Sequence, residues 1–179
     1  MKQMKFTAAG MLTDARQCLP LAISVFAYGI VFGVLARQAK LSGLEAVLMS
    51  ALVNAGAAQL VVLSLWAMPL PILTIILTTL VVNARYLLMG AALRPWLSQL
   101  SRLKMYSTLF FLGDENWALA IYAFKKGERD AAFLLGGGLL TYVTWVGSTV
   151  VGLVASGLAQ NPARWGWISL LPQCFSRSW

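Results

Sequence analysis

Five apolar stretches divide the chain, at residues 18–36, 44–66, 70–93, 106–124 and 131–155. About 20 apolar residues cross a bilayer core as an α-helix. None of the five alternates apolar and polar residues as a membrane barrel strand would. The pattern therefore predicts an all-α, polytopic membrane protein with about five transmembrane helices in one bundle. Pro20 falls near the start of the first stretch, where proline is tolerated. The prolines of Met68-Pro69-Leu70-Pro71 mark a turn between the second and third. The connections are short, so no separate soluble domain is expected, and residues 1–166 read as one transmembrane domain. The segment before residue 18 does not read as a cleaved signal peptide, because it holds Asp14 and no sustained apolar core.

Composition strengthens this reading. Hydrophobic residues make up 59% of the 179 and charged residues 11%, against about 45–50% and about 25% in soluble domains. Too little charge remains to clothe a globular surface, and the apolar content is too high for a disordered chain. Lys and Arg number 14 against 6 Asp and Glu, giving a net charge of +8. The basic residues sit between apolar runs, as charges flanking membrane spans do, and no aromatic-basic surface motif suggests nucleic-acid binding.

With five crossings and a cytoplasmic N-terminus, the Arg94–Lys104 group falls outside and the Lys125–Arg129 group inside. The basic counts on the two faces then nearly tie. Such a tie is compatible with one span being broken or re-entrant, and the reading leans to an N-terminus in the cytoplasm.

Histidine is absent and cysteine occurs only at positions 18 and 174. Cys/His zinc sites, Ser-His-Asp triads and a disulfide framework are therefore excluded. No cofactor or metal is expected, and enzyme chemistry is disfavoured.

The chemistry that remains lies in polar groups at bilayer depth. Arg85 falls within the third stretch, and Asp114 and Glu115 lie mid-way along the fourth. Each charge at a span centre costs about 2.5–3.5 kcal/mol on insertion scales. They must be paired, neutral or in contact with water, so Arg85 is expected to pair with Asp114 or Glu115. The second carboxyl is then free to titrate or to meet a ligand. The alternative is a buried pair that only fixes helix register.

Thr74, Thr78 and Arg85 fall on one helical stripe, expected to face the bundle interior. Asn83 faces away from it unless the helix breaks. Broken helices serve transporters at binding sites, whereas an ordinary interhelical hydrogen bond is the plainer reading of Asn83. In the second stretch, Asn54 and Gln59 flank Ala55-Gly56-Ala57-Ala58, a run that can pack closely or unwind without steric penalty. Their two carboxamides need partners or a polar substrate. Gly29 and Gly33, and likewise Thr141, Ser148 and Gly152, read first as helix-packing positions.

Several of these segments resemble one family. They are Ser50-Ala51-Leu52-Val53-Asn54-Ala55-Gly56-Ala57-Ala58-Gln59, Asn83-Ala84-Arg85-Tyr86-Leu87-Leu88-Met89-Gly90 and the pair Asp114-Glu115. Together with Leu19-Pro20, Gly29 and Phe32-Gly33 they are similar to the AzlC family. That resemblance implies the large subunit of a two-component branched-chain amino-acid exporter in a prokaryotic cytoplasmic membrane. Its partner would be a small AzlD-type membrane subunit. Asn54, Gln59, Asn83, Arg85, Asp114 and Glu115 would line the substrate or coupling pathway of an alternating-access cycle.

The sequence departs from the family in two places. Arg85-Tyr86 stands where Arg-His is usual, and members continue with further hydrophobic segments. Residues 167–179 read as an out-of-frame tail, because one added nucleotide in a plausible coding restores a continuation resembling the family's. No GxxxxGK[ST] loop is present, so ATP would act only through another subunit. The competing reading is a membrane-embedded scaffold subunit with no pathway of its own.

Overall fold

The computed structural model describes residues 5–159, and the tail at 167–179 lies outside them. Within the described residues the chain is helical, and three helices rather than the expected five have the length of a full span. Helices α1 (Ala8–Gln38), α4 (Ile72–Leu97) and α7 (Ala132–Ala159) are long and apolar enough to span a membrane. The second and fourth apolar stretches are each broken at mid-length. They give α2 (Gly43–Val53) with α3 (Gly56–Ser64), and α5 (Arg102–Phe110) with α6 (Asp114–Lys125).

Both broken pairs fold back. Met49 and Gln59 would lie about 15 Å apart along a continuous helix, yet Gln59 Nε2 donates to the Met49 carbonyl at 2.9 Å. The chain reverses at Asn54, which takes the left-handed conformation (φ 42°, ψ 41°) that asparagine tolerates. Leu41 and Ala46, at the start of the hairpin, consequently join Leu63, near its end, in one core cluster with Phe32 and Ala36 of α1.

In the second hairpin the Phe124 ring, at the end of α6, stacks on Trp96, at the end of α4, with centroids 5.3 Å apart. The end of α6 thus returns to the level at which α5 begins. Four half-helices of 9 to 12 residues reach only about 14–18 Å, about half of a 30 Å hydrocarbon core. The length that suggested a crossing is the length of two arms.

The framework holding these hairpins is the parallel α1–α7 pair. Lipid offers no hydrophobic drive between helices, so close backbone approach must stabilise such a pair. A Cβ on Gly33 would strike the Thr149 carbonyl and Gly152, and one on Gly152 would strike the Ile30 carbonyl. The packing role read for these glycines is the observed one. Nearer the N-terminus, buried Asp14 accepts from the Gly137 amide at 2.6 Å. Asp130 caps α7 through the Ala132 amide (3.0 Å) and binds Thr7, the N-cap of α1. Helix α4 is the least enclosed of the long helices, burying only Met89, Leu93 and Leu97. Its Thr74 is exposed, so the polar stripe does not face the interior along its whole length.

Candidate functional site

The two hairpin tips meet between α4 and α7. At the first break, Asn54 Nδ2 donates to the Phe110 carbonyl, the last residue of α5, at 2.6 Å. At the second, buried Asn116 accepts from the Gly113 amide (2.7 Å) and donates to the carbonyls of Phe111 (3.0 Å) and Leu134 (3.2 Å). A break inside an apolar stretch strands backbone groups that water cannot reach. An asparagine at each break satisfies some of them.

This arrangement explains how two adjacent acids occur within an apolar stretch. Asp114 and Glu115 are the first two residues of α6, where the positive end of the helix dipole favours carboxylates. Arg85 Nη1 lies 2.8 Å from Asp114 Oδ2, with the two side chains 35% and 49% exposed. The pairing expected of Arg85 is therefore made with Asp114. Glu115 has no cation within ion-pair distance among the described residues. The Arg85 guanidinium also rests over the Tyr86 ring, 5.2 Å from its centroid, while its buried Nε has no hydrogen-bond partner.

These groups line a cavity of about 230 Å³. Its polar wall comprises Asn54, Arg85, Asp114, Glu115 and Thr141. Tyr28, Tyr86, Phe111, Tyr142 and Trp145 supply aromatic surface, and Val25 and Leu60 add aliphatic surface. The backbone at Gly56 and Ala57, which opens α3 without a side-chain cap, also faces the cavity. A cation, carboxylates, hydrogen-bonding groups and apolar walls thus converge in one chamber.

Of the six residues singled out in the sequence, four border this chamber and two do not. Gln59 is fully buried behind it, donating to Met49 and accepting from Trp145 Nε1 at 3.0 Å. It clamps the first hairpin and orients an aromatic wall residue. Asn83 lies on unbroken α4 and lines a neighbouring groove with Asn54 and Tyr86, and its Oδ1 has no hydrogen-bond partner. The helix breaks fall in the hairpins, not at Asn83.

Sequence reasoning missed Asn116 and the aromatic lining. The signal for Asn116 was a third polar residue directly after Asp114-Glu115 in an apolar stretch. The aromatics carry no spacing signal of their own.

Residues 20–158 match the family described as AzlC protein. The chain belongs to the AzlC family. Its AzlC-family relatives include the inner membrane protein YgaZ of Escherichia coli, 29% identical over 158 residues, covering 86% of this chain and 64% of YgaZ. A membrane protein of Archaeoglobus fulgidus is 32% identical over 137 residues, covering 76% of this chain and 58% of its own. One from Helicobacter pylori is 32% identical over 152 residues, covering 79% and 64%. The chain thus spans less than two thirds of these AzlC-family proteins. No solved structure matches it. Family membership, the relatives' names and the long apolar helices together mark it as a membrane protein of the AzlC family.

Proposed function

We propose that this AzlC-family chain is the large subunit of a branched-chain amino-acid exporter, working by alternating access around the central cavity in a prokaryotic cytoplasmic membrane. The observation that carries the reading is the convergence of Arg85, Asp114 and Glu115 on one chamber between two helix breaks. Interrupted helices at the midplane are a recurring way to build a transporter site. An amino-acid zwitterion presents a carboxylate, an ammonium and, in this class, an aliphatic side chain. Arg85 suits the first, Glu115 with Asp114 the second, and the Val25, Leu60 and aromatic walls the third.

Substrate arrival would exchange the Arg85–Asp114 pair for two pairs with the ligand, so neither protein charge is left without a partner. Glu115, without a cation of its own, is the group available to meet the ammonium or carry a coupling proton. The small AzlD-type subunit is part of this proposal.

The test is efflux from cells loaded with a branched-chain dipeptide, with and without the chain and a co-expressed small subunit. Arg85→Ala is expected to reduce efflux to background while membrane insertion stays intact. Normal efflux without either subunit, or loss of insertion with no separable transport defect, would overturn the reading. The second result would favour a scaffold.

A further inference from the structure

Taken in order, the helices describe one unit and its inversion. α1 runs from the N-terminal face to the far face, and α2–α3 dips in from the far face and returns to it. α4 runs back, and α5–α6 dips in from the N-terminal face and returns there. The ends are fixed by contacts. Lys5 bonds with Arg129 and Ala131 backbone groups, Lys104 sits over the Phe6 ring, and Trp96 stacks on Phe124, all at one face. Phe32, Ala36, Leu41, Ala46 and Leu63 cluster toward the other.

This path removes the charge tie that five crossings produce. Lys5, the Arg94–Lys104 group and the Lys125–Arg129 group all fall on the N-terminal face, while Arg37 and Lys40 flank the other. Lys/Arg excess in short loops marks the cytoplasmic side.

We propose that α2–α3 enters from the outer face and α5–α6 from the cytoplasm, each hairpin being the barrier of the central cavity on its own side, with the Asn54–Phe110 hydrogen bond holding the two tips together. The inference rests on the exporter reading only for the word barrier; the orientation of the hairpins stands without it. Asn54 borders both the central cavity and the groove beneath Asn83, so parting it from Phe110 joins the two spaces. Inverted repeats around a midplane site are a known route to alternating access.

Single thiols at Ala67→Cys, Ser98→Cys and Lys126→Cys, in the full chain with Cys18 and Cys174 replaced by serine, test the orientation with a membrane-impermeant reagent on intact cells. Ala67→Cys is expected to react from outside, with Ser98→Cys and Lys126→Cys reacting only after permeabilisation. Ser98→Cys and Lys126→Cys on opposite faces would restore five crossings and overturn the inference. For the tip contact, Asn54→Ala is expected to raise the labelling rate of a Thr141→Cys thiol in the cavity by up to about tenfold, the scale of one lost hydrogen bond. An unchanged rate overturns that part. A single sharp gel-filtration peak and the unaltered loop pattern separate gating from misfolding. The labelling is read without transport, so hairpin-pattern labelling with no branched-chain efflux sinks the exporter reading alone.

Discussion

The α1–α7 seam and the paired hairpins sit side by side and are built on opposite principles. The seam fits backbone against backbone, and its glycines leave no room for a single methyl group. The hairpins interrupt their own helices and rely on Asn54 and Asn116 to satisfy what the breaks expose, and on Gln59 to hold the first fold-back. One is a fixed frame. The other spends stability on a chamber, as functional sites do when their strain is borne elsewhere.

The largest expected effect comes from breaking the frame. Gly152→Val and Gly33→Leu force the two helices apart against backbone carbonyls, where overpacking costs typically 1–3 kcal/mol and sometimes more. Both are expected to lose folded protein, with thermal unfolding in detergent shifted steeply downward and transport lost in parallel.

Next is the clamp of the first hairpin. Gln59→Leu leaves the Trp145 indole N–H without its partner and removes the tie to the Met49 carbonyl, which keeps its bond within α2, at about 1–3 kcal/mol for the orphaned donor. A clear drop in melting temperature is expected, smaller than that of the seam variants. Its checking measurement is faster hydrogen exchange confined to α2–α3.

Arg85→Ala separates site from frame. Its ion pair is a third to a half exposed, and such pairs contribute about 0–1 kcal/mol. Melting should therefore hardly move while efflux disappears, a split that no seam variant would show. The smallest effect lies on α7 itself. A Cβ at Gly147 meets nothing, so Gly147→Ala is expected to be neutral or stabilising by about 0.5–1 kcal/mol, five residues from the intolerant Gly152.

The helical class, the membrane setting and the Arg85–acid pairing were legible from hydropathy and from the cost of buried charge. The number of crossings was not. A hairpin of two half-helices and one full helix contain the same apolar residues over the same length, so periodicity cannot tell them apart. The signs were local: Asn54 before Ala55-Gly56, and Gly113 before Asp114-Glu115. The tie in loop charges signalled the same thing from a distance. The split among the six polar residues was hidden for another reason. Asn54 and Gln59 share a stretch, a chemistry and a five-residue spacing, and only the fold-back places one in the chamber and the other behind it.

Whether the chamber receives a solute is the central claim, and protection of a thiol within it tests this most directly. Thr141→Cys lines the same cavity as Asp114 and Glu115 and can be labelled in membranes containing the chain with a co-expressed AzlD-type subunit. Leucine, isoleucine or valine at millimolar concentration is expected to slow that labelling severalfold, with no protection once Arg85→Ala is added. Equal rates with and without these amino acids, in protein that still exports them, would contradict the account.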